Sequence, residues 1–264
     1  MELKSLIHVS IPFSMLIESY LEAFLENRVN PEIVFGADSL DNYSEKDYRY
    51  VADKLHSCGL SVTLHAPYMD LCPGSPDKRV KEVARFRFFQ ILPLVTIFKA
   101  KSVVFHTGFD EKKYYEIRNT WLENSLQIWR QMAEELAKRG AKLMLENVFE
   151  KRPEDMLALI RKLEGYKNTG LCFDPAHAHV FSIIPVKRWA ESLLPYIGEL
   201  HLHNNSGNWD EHRGLDKGLI DFKELLDIIS KGTTEMPIIT LEVHNDEEFW
   251  SSLEYLKKIW PWKE

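Results

Sequence analysis

The segment Ala141-Lys142-Leu143-Met144-Leu145-Glu146-Asn147-Val148 decides how this chain is read. It follows Gly140, which sits just past a helical stretch, and it has the length and apolar content of a short buried strand. Alternation puts Leu143 and Leu145 on one face and Met144 and Glu146 on the other. A carboxylate that ends such a run is costly to bury unless something positive meets it. The partner this segment implies is a divalent metal ion on which other strand ends converge.

Outward from this segment, short apolar runs alternate with stretches of helical period. Strands are expected at 3–9, 31–35, 60–65, 101–106, 141–146, 169–174, 197–203 and 236–243. Helices are expected near 13–27, 45–58, 76–100, 114–139, 153–164, 186–195, 221–230 and 247–258. Ser44 before Glu45-Lys46-Asp47 marks one helix start, Gly59 follows another helix end, and Pro93 should kink or split the third helical stretch. Strict strand–helix alternation without a Gly-rich phosphate loop predicts an α/β fold. Specifically, it predicts a (β/α)8 TIM barrel forming a single domain over 1–264, rather than an open doubly wound sheet.

The last residue of each strand carries the chemistry. His65, His106, Glu146, Asp174, His203 and Glu242 end strands three to eight. Counting back in twos puts Thr63, Val104, Ser102, Cys172, His201, Glu199 and Thr240 on the same face as these residues, toward the barrel axis. The larger apolar residues between them face the helices. Catalytic groups of such barrels sit at this C-terminal rim. Asp174-Pro175-Ala176-His177 adds His177, and Asp210-Glu211-His212 adds two more donors after the seventh strand. Carboxylates crowded this closely repel one another, and a divalent cation held by Asp/Glu oxygen and neutral His nitrogen resolves the conflict. His201 also faces inward and rivals His203 as the ligand from that strand; His203 is preferred because it lies nearer the mouth. His56 falls in a helix and reads as ordinary, while His8, His179 and His244 stay open. One consequence of the register is an expected ion pair inside the barrel between Lys142 and Glu199, each four residues before a ligand.

Bulk properties narrow the function. A net charge of −7 over 264 residues gives no support to a polyanion-binding surface. Three scattered cysteines do not make a disulfide framework, so a cytoplasmic setting is the default expectation. Neither a signal-peptide pattern nor an apolar run near the ~18 residues of a membrane span is found. Trp260-Pro261-Trp262 and Phe86-x-Phe88-Phe89 read as core or helix packing, with a homo-oligomer face as the alternative.

His65-Ala66-Pro67-Tyr68, His106-Thr107-Gly108, Glu146-Asn147, Asp174-x-x-His177, His203, Asp210-x-His212 with Lys217-Gly218, and Glu242 occur in order along nearly the whole chain. This set resembles the xylose isomerase-like barrel superfamily (AP endonuclease family 2), which includes endonuclease IV and many sugar isomerases and epimerases. The endonuclease IV resemblance implies that all nine donor positions hold three zinc ions, with Glu146 bridging two of them. The epimerase resemblance implies one metal on Glu146, Asp174, His203 and Glu242, with the two glutamates also moving protons. One to three divalent ions follow, zinc or manganese, with magnesium or cobalt as further options.

The segment Gly36-Ala37-Asp38-Ser39-Leu40-Asp41-Asn42, where endonuclease IV carries DNA-reading loops, is acidic and repels phosphate backbones. The expected substrate is therefore a small sugar or sugar phosphate rather than a nucleic acid, with Glu146 and Glu242 as catalytic acid and base. Tyr68 and Trp209 are candidates for the pocket wall, and Arg213 and Lys217 for a phosphate. A multi-zinc phosphoester hydrolase is the alternative, and a non-catalytic metal or sugar binder is a third class.

Overall fold

The structure, a computed structural model, describes residues 3–262. Eight parallel strands close into a barrel in sequence order: β1 His8–Pro12, β2 Asn30–Val34, β3 Thr63–His65, β4 Ser102–His106, β5 Lys142–Glu146, β6 Thr169–Phe173, β7 Ile197–Leu202 and β8 Ile238–Leu241. β1 closes the ring on β8 through the pairs His8–Thr240 and Val9–Leu241. The first strand lies later than expected, since Leu3–Ser5 is a 3-10 turn. The run Leu6–Ile11 is apolar enough to slide either way on pattern alone, and the pairing of His8 through Pro12 with Asn30 through Val34 sets its register.

The helical stretch around Pro93 is split, as its sequence requires, into Lys78–Phe89 and Ile91–Phe98. Two helices lie where the pattern showed only loop: Ala37–Asn42 after β2 and Pro175–Phe181 directly after β6. Aliphatic and aromatic residues between strands and helices form the main core. Trp129 of the helix Arg118–Ala137 lies there fully buried, 5.4 Å from the Phe88 ring and 5.6 Å from the Phe105 ring. Phe86 of the aromatic run is exposed, whereas Phe88 is core and Trp260 and Trp262 pack against it.

The barrel interior is a separate and more polar layer. Val104, Met144 and Cys172 form a small apolar cluster of their own. Around them stand Glu32, Thr63, Ser102, Glu199, His201 and Thr240, all fully buried. Glu32 accepts hydrogen bonds from Thr63 Oγ1 and Thr240 Oγ1, both at 3.1 Å, and its Oε1 lies 3.0 Å from His201 Nε2. Nothing in the sequence pattern singled out Glu32.

The expected Lys142–Glu199 ion pair does not form. Lys142 is exposed at the start of β5, while Glu199 is buried beside Glu32. Leu171 pairs with Ile197 but Cys172 with Glu199, so β7 carries one extra residue, Gly198. A Cβ at Gly198 would stand 2.7 Å from the Met144 methyl, so a larger residue there would make the end of the Met144 side chain shift. With this bulge, it is His201 that reaches the level of Glu146, at 3.3 Å. Lys142 is the first residue of β5 and lies at the exposed start of its strand. Burial, followed by the charge of Glu32, pushes the Glu199 carboxyl well above its usual range.

Replacing Trp129 with Ala should cost about 3–5 kcal/mol, read as a lowered urea midpoint. Lys142→Ala should change stability by less than about 0.5 kcal/mol; a loss several times larger would restore the ion pair.

Candidate metal centre

Each donor owes its position to a strand end or to the turn after it. His65, His106 and Glu146 close β3, β4 and β5. Asp174 is the N-cap of the helix Pro175–Phe181, its Oδ1 accepting the His177 N–H at 2.7 Å, and this turns His177 into the mouth. Asn147 clamps the same corner: its Oδ1 accepts from the Asp174 N–H at 2.9 Å and its Nδ2 donates to the Asp174 carbonyl at 2.8 Å. After β7 the chain folds back through paired backbone bonds between Asn204 and Arg213, both at 2.9 Å. That hairpin turns Asp210 and His212 inward. His212 adopts a left-handed conformation, φ 51°, unusual for a side chain that is not glycine. Its ring stacks on His203 at 3.9 Å and on His244 at 4.6 Å.

The donors fall into three main groups, in each of which the donor atoms lie within 4.8 Å of one another. Ligands about 2.0–2.2 Å from one zinc ion stand at most roughly 4.4 Å apart, so each group is ion-sized after small adjustments. In the first group Glu146 Oε2 is 3.1 Å from Nε2 of both His65 and His106. The second unites Glu146, Asp174, His201 and Glu242, with His201 Nδ1 3.3 Å from Glu146 and 3.4 Å from Glu242. The third unites His177, His203, Asp210 and His212, with Asp210 Oδ2 3.1 Å from His177 Nε2 and 3.2 Å from His212 Nε2. His203 also reaches toward the second group, with Nε2 3.0 Å from Asp174 Oδ2.

Two observations test whether a cation fits. First, His65, His177 and His212 each donate Nδ1–H to a backbone carbonyl: Ala66 at 2.8 Å, Asn147 at 3.0 Å and Glu242 at 2.9 Å. In the neutral rings this leaves Nε2 as a lone pair aimed at carboxylate oxygens, an arrangement that repels unless a proton or a cation lies between. Second, His203 Nδ1, Asp210 Oδ1 and both nitrogens of His201 are buried without a well-directed hydrogen bond. Burial opposes charge on Glu146, yet His201 and His106 hold its carboxyl well below the usual range. Burial likewise opposes charge on His177, but Asp174 and Asp210 hold it well above an ordinary imidazole. Against its burial, His212 is raised to about 9 by Asp210 and Glu242.

All nine predicted donors, with His201 as a tenth, thus meet at one mouth. The candidate wall residues divide. Tyr68 lines the cavity, its ring stacked on His106 at 4.4 Å. Trp209 is 75% exposed, Arg213 pairs with Glu211 at 2.6 Å and Lys217 with Glu247 at 3.4 Å, and none of the three lines the cavity. The hairpin that turns Asp210 and His212 inward turns Trp209 and Arg213 out. The cavity above the donors measures about 820 Å³.

Residues 30–259 match the family model described as a xylose isomerase-like TIM barrel. The chain belongs to that family. Among relatives is the uncharacterized protein MJ1311 of Methanocaldococcus jannaschii, 25% identical over 81% of this chain and 75% of that protein. Among solved structures, a D-tagatose 3-epimerase-like protein is 26% identical and covers 96% of each chain, with a TM-score of 0.81. The TTHB071 protein from Thermus thermophilus, soaked with ZnCl2, is 23% identical over 97% of this chain and 98% of that one; its TM-score of 0.80 shows a shared fold. No helix among the described residues is long and apolar enough to cross a membrane.

Since the imidazoles must be neutral to bind metal, zinc or manganese added to the stripped protein should raise its melting temperature more at pH 8 than at pH 5.5. A shift independent of pH, or none at either, would count against a metal centre on these side chains.

Proposed function

We propose that this protein is a divalent-metal-dependent isomerase or epimerase of a small sugar or sugar phosphate. The observation that carries the reading is that Glu146 and Glu242 belong to one four-donor group, both within 3.4 Å of His201, at the floor of a cavity large enough for substrate. The similarity to a D-tagatose 3-epimerase-like protein supports the same class.

Glu146, Asp174, Glu242 and one of the two imidazoles His201 and His203 would hold the ion that serves this chemistry. When bound, such an ion supplies Lewis acidity at a substrate carbonyl and its neighbouring hydroxyl. One glutamate, ionised, takes the proton from the carbon next to the carbonyl, and the other, entering the cycle protonated, returns a proton to the resulting enediolate from its own side. Burial opposes charge on both carboxyls, yet the His201 imidazole beside them holds each below the usual carboxylate range. Tyr68, stacked on His106, forms part of the cavity wall beside the donors.

A second reading, hydrolysis of a small phosphoester, is favoured by the completeness of the donor set. His65, His106, His177, Asp210 and His212 exceed what a single ion needs, and multi-metal sites clamp the attacking and leaving oxygens of phosphoesters.

Glu146→Gln and Glu242→Gln should each lower isomerisation of the preferred sugar by about 10²- to 10⁴-fold. Elemental analysis of the native protein separates the two readings. About one ion per chain with turnover of ketoses supports the isomerase; about two or three ions with phosphoesterase activity and no isomerisation would replace it.

A further inference from the structure

The cavity is larger and more apolar than a monosaccharide needs. Its 820 Å³ fall within the roughly 300–1,000 Å³ of pockets that bury drug-sized ligands, whereas a hexose brings only about a dozen heavy atoms. Away from the donors the wall includes Val9 and Ile11 of β1, Phe24, Val29, Phe249 and Trp250. These residues come from the two ends of the chain, which barrel closure makes neighbours. The helical stretch that contributes Phe24 is irregular. A π-helical turn, Leu16–Tyr20, interrupts it, and Met15 and Tyr20, at its two ends, both line the cavity. Such turns are rare and recur at functional sites. From the loop after β5, Phe149 packs edge-on against Phe181 at 4.9 Å, and both face the cavity. Phe149 and Trp250 remain 49% and 42% exposed, so apolar area is left for a ligand to cover.

Charge on the wall points the same way. Among the described residues, Lys113 is the one lysine or arginine lining the cavity, and it stands 3.7 Å from Asp110. Asp70, Asp110 and Asp246 join the donor carboxylates there. The helix Asp246–Ile259 begins at the cavity, but Asp246, Glu247 and Glu248 occupy its first turn, where an anion would otherwise be welcome. A phosphate bound away from the metal ligands would meet carboxylates, not the arginine fork or helix terminus that recognises it.

We infer that the substrate is an uncharged sugar bearing an apolar substituent of about aryl size, a glycoside-like molecule. Its hydroxyl and carbonyl end sits on the donor floor and its substituent lies against Met15, Phe249 and Trp250. This rests on the sugar reading above and narrows it, setting sugar phosphates aside.

The test is calorimetric binding to the metal-loaded full chain. A panel of pyranoses of the common stereochemistries, each with one ring hydroxyl oxidised to a ketone so that the glycoside also carries a carbonyl, is offered in three forms: free, as the 6-phosphate and as the phenyl glycoside. At least one phenyl glycoside should bind about tenfold tighter than both its free sugar and its phosphate. Trp250→Ala should bring the ratio of glycoside to free-sugar affinity toward one, while Trp250→Phe, which keeps a ring, should retain most of it. The inference is overturned if a sugar phosphate binds tightest, if no phenyl glycoside exceeds its parent, or if Trp250→Ala leaves the ratio intact. Preference for the glycoside without turnover of any panel member keeps this ligand class and removes the isomerase reading. Turnover of free sugars without that preference does the reverse.

Discussion

A parallel barrel that closes on itself leaves its strands one common exit, and every inward side chain at a C-terminal end must share it. Here that shared space receives carboxylates from β5, β6 and β8 and imidazoles from β3, β4 and β7, with more of both from the loops. Like charges at 3–5 Å in a buried setting cannot all stay ionised without compensation. The rest of the site follows from meeting that constraint: imidazoles interleaved with carboxylates, rings pinned by backbone carbonyls, and donor groups of ion size.

The constraint extends below the mouth. Aliphatic side chains usually fill such a barrel in layers, but this one places Glu32, Glu199 and His201 at its centre, with Val104, Met144 and Cys172 as the apolar remainder. Glu32, whose Oε2 accepts from two threonine hydroxyls, lies with its Oε1 against His201, and His201 in turn touches both glutamates of the mouth. The floor of the site is therefore held by polar contacts that continue into the core.

How much of this was legible in the sequence depended on the kind of information required. Strand-end donors were legible because period-two alternation fixes which side chains face the axis, and because His and Asp/Glu at those ends have no structural reason to be there. Register between strands was not: the extra residue Gly198 changes the pairing of β7 with β6, and Lys142 lies at the exposed start of β5 while Glu199 is buried inside the barrel. Loop side chains were partly legible. Asp210 and His212 were found, but the backbone pairing of Asn204 with Arg213, which turns Trp209 and Arg213 outward, depends on contacts that no local pattern encodes. Glu32 was missed because its strand segment, Asn30–Val34, offers no pattern that distinguishes an interior carboxylate from a surface one.

The tethers that orient the imidazoles do something beyond fixing tautomers. The His177 ring is moored to the carbonyl of Asn147 and the His212 ring to that of Glu242, so each is anchored on a different strand's exit from its own. A displacement of the β5 or β8 rim is therefore transmitted to a nitrogen borne by another loop. Two donors on separate loops are thus calibrated against the rims of β5 and β8, and their nitrogens move with the part of the mouth that moors them.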